Sequence, residues 1–146
     1  MFRSILNRFR ELARKILGVP PLVIYRSDFP SGKLIGRPSE VGAFTIIDYG
    51  GCVRIGRNVK IGFGVIILSV SSISGRRGIE VIKKPVIIGD NVEIGSNVVI
   101  LPGVKIGDNS TVGAGAVVTE NIPPNSIAVG IPAKVLETRV RKAEEK

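Results

Sequence analysis

A six-residue repeat runs through most of the chain, as in the consecutive units IGDNVE and IGSNVV. Apolar positions recur about every 3.6 residues in a helix and every two residues in a half-buried strand, so neither element accounts for a period of six. Short strands joined by regular corners do account for it, because each strand can hydrogen-bond to the strand one turn above while the aliphatic residues stack into one core. The repeat therefore predicts a solenoid. Its units begin at Ile55, Ile61, Ile88, Ile94, Ile100, Ile106, Val112 and Val118.

The fourth position of every unit is Asn or Gly, the residues that best tolerate a positive φ angle. This pattern predicts a corner with left-handed backbone once per repeat, and the next residue, which is small or branched, suits the inside of that corner. The predicted corner residues are Asn58, Gly64, Asn91, Asn97, Gly103, Asn109, Gly115 and Asn121. The residues predicted inside the corners are Val59, Val65, Val92, Val98, Val104, Ser110, Ala116 and Ile122.

The composition fits one domain with an aliphatic core, since aromatic residues make up 5% of the 146 residues and tryptophan is absent. The single Cys52 cannot form an intrachain disulfide, which is typical of a reducing compartment. No apolar run is long enough to cross a bilayer. We therefore expect a cytoplasmic protein.

The net charge of +9 comes from basic residues spread along the whole chain, with few aromatic residues beside them to stack on bases. This pattern argues against nucleic acid as a partner and leaves phosphorylated small molecules or an anionic membrane surface. Histidine is absent and there is only one cysteine, so we expect no metal site.

The stretch IGDNVEIGSNVVILPGVKIGDNSTVGAGAVVTENIPPNSIAVGIPAKVL resembles the closing signature of the hexapeptide-repeat acyltransferases, which include maltose, galactoside and serine acetyltransferases. The resemblance extends from about Ile35 to Leu136. It implies an all-β solenoid, a left-handed parallel β-helix with three hexapeptides per coil, and a homotrimer with acetyl-CoA-dependent sites between subunits. Pieces that begin at Ile35, Val41 and Ile47 resemble a degenerate first coil.

We divide the chain into an N-terminal amphipathic helix at residues 1–19, a β-helix at 20–136 with an excursion loop at 73–81, and a charged C-terminal tail or short helix at 137–146. Residues 1–17 place apolar side chains at helical spacing opposite basic ones. Such a helix can lie on an anionic membrane surface or cap the solenoid. We favour the cap.

On the donor side, the resemblance implies a coenzyme A site at Ser96, Gly113, Ala114 and Thr119, where small residues let the pantetheine arm approach the backbone. Lys134 matches a basic residue that meets the nucleotide phosphates, a role that suits a flexible point charge.

On the acceptor side, the resemblance implies a histidine base near the excursion, but Val70, Ser71, Ser72 and Ile73 stand where it is expected. An amine acceptor needs such a base less than a hydroxyl does, and a carboxylate can collect its proton. The candidates are Asp48, Glu80 and Glu93, of which we favour Glu80 because it lies in the excursion. A basic group around it could meet a phosphorylated acceptor or be solvated: Arg76, Arg77, Lys83 and Lys84.

Two functions follow from these residues. The first is an acetyltransferase that uses acetyl-CoA, and no metal, to acetylate a saccharide or another small acceptor, amines included. The second is a catalytically silent trimer that serves as a scaffold or coenzyme A binding module. The missing histidine is the main support for the second.

Overall fold

The computed structural model describes residues 23–75 and 78–138, and this part of the chain is all-β and contains no helix. The strands are short, and most contain two to four residues. In chain order they are β1 (Val23–Arg26), β2 (Leu34–Ile35), β3 (Glu40–Val41), β4 (Thr45–Asp48), β5 (Val53–Ile55), β6 (Lys60–Ile61), β7 (Ile66–Leu68), β8 (Val70–Gly75), β9 (Gly78–Lys83), β10 (Val86–Ile88), β11 (Glu93–Ile94), β12 (Val99–Ile100), β13 (Lys105–Ile106), β14 (Thr111–Val112), β15 (Val117–Val118), β16 (Ser126–Val129) and β17 (Lys134–Thr138).

The strands form three parallel sheets that make the three faces of a solenoid of about five turns. Face 1 has the order β1-β4-β7-β12-β15, face 2 has β2-β5-β10-β13, and face 3 has β3-β6-β11-β14-β16. Strand β17 adds to face 3 as an antiparallel edge. The predicted parallel solenoid is confirmed.

The core is a stack of aliphatic side chains that point inward from each face. On face 1, Ile47, Ile67, Ile100 and Val118 pair in register between successive coils, and all four are fully buried. Backbone hydrogen bonds join the coils: Ile46 N donates to Val65 O at 2.8 Å. All eight residues predicted to lie inside the corners are buried.

The corners follow the predicted pattern at seven of eight positions, where the Asn or Gly residue has a positive φ. Asn121 is the exception, so the prediction was wrong there. Its side-chain oxygen accepts a hydrogen bond from Lys105 N at 2.8 Å, and the next left-handed residue, Asn125, belongs to the following corner. Pro123 and Pro124 lie between the two corners and fix φ there, so this segment departs from the regular hexapeptide.

One edge of the solenoid carries a column of asparagine side chains that bond to one another from coil to coil. Asn58 donates to Asn91 at 3.0 Å, and the same bond repeats from Asn91 to Asn109 and from Asn109 to Asn125. The backbone N–H and guanidinium of Arg57 bond to Asp90 on the same edge, and these bonds lower the pKa of the Asp90 carboxyl. Side-chain hydrogen bonds therefore stabilise this edge in addition to the backbone hydrogen bonds between coils.

The excursion is a β-hairpin rather than a loop, and it is longer than predicted. Strands β8 and β9 pair antiparallel from Val70 opposite Lys83 to Gly75 opposite Gly78. Residues 70–72 and 82–83, which lie outside the predicted excursion at 73–81, belong to the hairpin. A protruding segment satisfies its backbone by pairing with itself, which explains the longer hairpin.

The two ends differ from the repeats. Ile35 was expected to start the first coil, yet it is 43% exposed and pairs with the outward Arg54, while Leu34 packs against the core. At the other end, β17 extends to Thr138. The predicted helix at 1–19 and most of the tail lie outside the described residues, so both stay predictions, as does membrane contact through residues 1–17.

Within residues 23–75 and 78–138, the structure has no helix with the length and apolar character needed to span a bilayer.

We predict that Gly56→Ala destabilises the fold strongly, because a Cβ at Gly56 would lie 2.5 Å from Gly89 O of the next coil. The backbone of two coils would have to separate, and we expect a loss of about 2 kcal/mol or more in urea unfolding. Gly115→Asn is the matched control, because nothing lies within 4 Å of its Cβ position and Asn97 occupies the equivalent corner one coil earlier. Equal losses in the two variants would contradict the close-packing argument.

Candidate active site

A groove of about 610 Å³ runs along face 3 across four successive coils. It is lined by strands β3, β6, β11 and β14 and by the corner residues that follow them. The lining residues are Glu40, Val41, Gly42, Lys60, Ile61, Gly62, Phe63, Glu93, Ile94, Gly95, Thr111, Val112, Gly113 and Ala114.

The outward side chains of this groove form a column of alternating charge. Glu40 pairs in register with Lys60, Lys60 with Glu93, and Glu93 with Thr111. Among the described residues the salt bridges lie elsewhere, at Arg26–Asp28, Arg57–Asp90 and Lys134–Glu120. The groove therefore presents two carboxylates and one ammonium group to a ligand.

Glycines recur along the groove, one in each of its four coils. Gly42, Gly62, Gly95 and Gly113 occupy equivalent positions, and a Cβ at Gly95 would lie 2.5 Å from Ala114 N. The coils approach too closely there for any other residue. Because glycine carries no side chain, an extended ligand can approach the backbone at these four positions.

Three of the five predicted donor residues lie at one corner of this groove. Gly113 and Ala114 line it directly. Ser96 lies one coil earlier, where its Oγ accepts a hydrogen bond from Phe63 N at 3.2 Å. A Cβ at Gly113 would also lie 2.7 Å from Val129 Cγ1, so this glycine is needed for packing as well.

Neither of the other two donor residues lines the groove: Thr119 follows β15 on face 1, and Lys134 begins β17 at the edge of face 3. Both are exposed. The ammonium group of Lys134 lies 3.4 Å from Glu120 Oε2, next to Thr119. The five predicted residues thus form two groups: Ser96, Gly113 and Ala114 at the groove, and Thr119 with the Lys134 ammonium group outside it.

The three candidate carboxylates have different surroundings. Glu93 lies in the groove. Glu80 is exposed on β9, opposite Ile73, and is not a groove residue of its own chain. Asp48 is half-buried and accepts a hydrogen bond from Gly50 N at 2.9 Å, which is typical of a turn. Only Glu93 lies beside the predicted donor residues.

The base of the hairpin that carries Glu80 is held in place by contacts to the solenoid. The buried Ser69 accepts a hydrogen bond from Lys84 N through its carbonyl at 3.0 Å and one from Gly51 N through its hydroxyl at 2.8 Å. The Lys83 ammonium lies 3.2 Å from the centre of the Phe29 ring. The hairpin is therefore anchored where it leaves the coils.

Two exposed phenylalanines at the groove were missed by sequence reasoning. Phe63 lines the groove and is 63% exposed, and Phe44, on the preceding coil, is 69% exposed. A signal was present in the sequence, because Phe44 occupies a fourth position that is Asn or Gly in the later units.

A second groove, of about 410 Å³, lies on face 2 and contains none of the predicted site residues. The described residues hold no group of three or more His, Cys, Asp or Glu side chains arranged to bind a metal ion. The groove on face 3 is therefore the candidate active site.

Comparison with known proteins agrees with this geometry. Residues 85–120 match the family model "Bacterial transferase hexapeptide (six repeats)". The galactoside O-acetyltransferase of Escherichia coli K12 is 39% identical, and the match covers 70% of this chain and 62% of that protein. The maltose O-acetyltransferase structure from Clostridium difficile 630 is 31% identical over 79% of this chain and 70% of that chain, with a TM-score of 0.52.

The chain belongs to the hexapeptide-repeat acyltransferase family. A hexapeptide-repeat acetyltransferase from Vibrio cholerae O1 biovar eltor, solved in complex with acetyl coenzyme A, is 28% identical to it. That match covers 88% of this chain and 75% of that chain, with a TM-score of 0.59. The present chain spans 62% of the length of the E. coli galactoside O-acetyltransferase.

Proposed function

We propose that this hexapeptide-repeat protein is an acetyltransferase that uses acetyl-CoA to acetylate a saccharide or another small acceptor, including amines. The observation that carries the proposal is the groove on face 3, where glycine backbone, small corner residues and the free carboxylate of Glu93 lie together. The acetyltransferase relatives of known structure, one of them bound to acetyl coenzyme A, support the same reading.

The residues of the chain fit the donor. Gly113 and Ala114 leave the backbone open to an extended pantetheine arm, and Ser96 adds a hydroxyl at the same corner. Thr119 and the Lys134 ammonium group are exposed and can contact the nucleotide end, and Lys134 also forms a salt bridge with Glu120. When bound, acetyl-CoA supplies a thioester whose carbonyl carbon bonds to the acceptor as the carbon–sulfur bond breaks and coenzyme A leaves.

The protein side of the reaction must proceed without histidine, since the sequence contains none. An alcohol is a poor nucleophile until a base removes its proton, and such help is typically worth about 10² to 10⁴ in rate. A neutral amine attacks unaided and becomes acidic as it bonds to the carbonyl carbon, so a carboxylate suffices to take its proton. The available carboxylates therefore favour an amine acceptor over a hydroxyl.

The proposal includes a left-handed winding and a homotrimer with sites between subunits. In a trimer, the groove of one subunit can be completed by a neighbour. Glu80 lies outside the groove of its own chain, so a role for Glu80 in catalysis would require it to reach the groove of a neighbouring subunit. A light-scattering mass of three times the 15.6 kDa of one chain is expected.

A coenzyme A titration followed by an acetyl-CoA assay over a panel of amines and sugars tests the function. We expect coenzyme A binding and release of free thiol with at least one acceptor, amines being faster than the matching alcohols. Binding without turnover would favour the silent binding module, which the absence of histidine supports. A protein that binds no coenzyme A would contradict both functions.

We predict that Lys134→Ala weakens coenzyme A binding about tenfold, because it removes a charge that meets the nucleotide phosphates. Glu120→Gln should tighten binding, since it frees Lys134 from its salt bridge. Calorimetric titration measures both. Lys105→Ala, which removes an exposed lysine of face 2, is the control. Equal weakening in Lys105→Ala would indicate a general effect of net charge instead of a specific contact.

We predict that Glu93→Gln lowers the rate of acetyl transfer to amines about 10²-fold with little change in the KM for acetyl-CoA, because Glu93 is the groove carboxylate beside the donor residues and accepts the proton. Glu80→Gln, an equivalent change on the hairpin, should lower the rate by less than about threefold. Steady-state kinetics of both variants measure the two rates and the KM for acetyl-CoA. The opposite result would assign the role to Glu80, acting across a subunit boundary.

A further inference from the structure

Phe44 has an unusual backbone conformation for a large side chain. Its φ is 62°, in the left-handed region that bulky residues rarely adopt. The same corner is formed by Gly64, Asn97 and Gly115 in the next three coils, and these residue types adopt that conformation at lower cost. Phenylalanine at this corner is therefore strained relative to the chain's own repeats.

Packing does not compensate for the strain. The Phe44 residue is 69% exposed, and Phe63, which precedes the same corner one coil later, is 63% exposed. A large apolar ring that stays in water gains little of the burial energy that stabilises a core. A strained residue that gains no burial energy does not stabilise the fold, so a role in binding explains phenylalanine at position 44 better.

The two rings lie on successive coils at the mouth of the candidate active site. Phe63 lines the groove, and Gly64 N donates to Ala43 O at 2.9 Å, which places the corner of Phe44 against that of Phe63. In the next two coils, the position equivalent to Phe63 is occupied by Ser96 and then by Ala114. The aromatic rings thus occur only in the coils where Glu40 and Lys60 line the groove, away from the coils of Gly113 and Ala114.

We propose that Phe44 and Phe63 form an aromatic platform that binds the acceptor through the apolar face of a pyranose ring. The inference rests on the proposed function and assigns the two ends of the groove: the acceptor lies at the coils of Phe44 and Phe63, and the donor lies at the coils of Gly113 and Ala114.

The surroundings of the platform favour a small polar ring over a second copy of the chain as its occupant. Glu40 and Lys60 present a carboxylate and an ammonium group on the same coils as the rings. A pyranoside matches this mixture, since its ring has an apolar face and its hydroxyl or amino groups can bond to both charged groups. The centres of protein interfaces are instead depleted of charged residues.

The chain supplies its own substitutions for the test. Phe44→Asn copies Asn97, and Phe63→Ser copies Ser96, so both variants place a residue that the fold already accepts at that corner. We expect each to keep or raise the Tm while weakening pyranoside binding about 3- to 10-fold and leaving coenzyme A affinity unchanged. Tyr25→Asn removes an exposed aromatic ring of β1, outside the groove lining, and should change none of these.

Binding is measured without turnover by saturation-transfer NMR, with methyl hexopyranosides, aminohexopyranosides and acyclic hexitols as probes. The chain has five Phe, two Tyr and no Trp, so saturation of aromatic protons selects few residues. We expect transfer to the ring C–H protons of the pyranosides and little to the hexitols. Transfer should fall in Phe44→Asn and Phe63→Ser and persist in Tyr25→Asn.

The outcomes separate the platform from the proposed function. If no acceptor is turned over but pyranoside transfer occurs and is lost in the two variants, the platform stands and the enzymatic function fails. If turnover occurs but acceptor KM and transfer are unchanged in both variants, the platform is wrong and the function stands. Absence of pyranoside transfer in the unsubstituted protein overturns the platform, and so does a fall in light-scattering mass in the variants, which would identify the rings as a subunit contact.

Discussion

Parallel backbone hydrogen bonds between successive coils hold them about 4.8 Å apart, and the rest of the structure must fit this spacing. The bond from Ile66 N to Val98 O and that from Val99 N to Ala116 O repeat one geometry on face 1. At the corners the backbones come so close that positions such as Gly56 and Gly95 have no room for a Cβ. The asparagine column from Asn58 to Asn125 works under the same spacing, since its amides reach each other only when the coils are in register.

The spacing determines the inward and corner residues and leaves the outward ones free. On face 3, Ile61, Ile94 and Val112 repeat the same inward chemistry, while the outward positions change from Glu40 to Lys60 to Glu93. A binding site can therefore be built on this face without altering the core. This independence explains why one repeat carries both a scaffold and a candidate active site, and why the fold alone does not specify the acceptor.

The sequence predicted the features that the repeat itself determines. The solenoid, the buried corner residues and seven of the eight left-handed corners follow from the spacing of Ile, Val, Asn and Gly. The exceptions occur where the repeat weakens. Asn121 precedes two prolines, Ile35 turns outward in the first coil, and the β8–β9 hairpin pairs with itself in place of a neighbouring coil. Periodicity cannot describe segments that do not stack.

The candidate site was less predictable because it combines residues that are far apart in sequence. Residues from Glu40 to Ala114 meet in one groove only because the coils stack, and sequence reasoning placed Gly113 and Ala114 there without finding Phe44, Phe63 or Lys60. It also favoured Glu80 for its place in the excursion, whereas stacking brings Glu93 to the groove.

The chemistry available to this groove follows from the basicity of its carboxylates. A carboxylate is too weak a base to remove a proton from a free hydroxyl, but it can take one from an amine that has begun to bond to a carbonyl carbon. Lys60, paired in register with Glu93, places a positive charge on the strand next to that carboxylate. A site without histidine therefore requires an acceptor that is already nucleophilic. The protein contributes the orientation of the two substrates and a carboxylate that takes the proton.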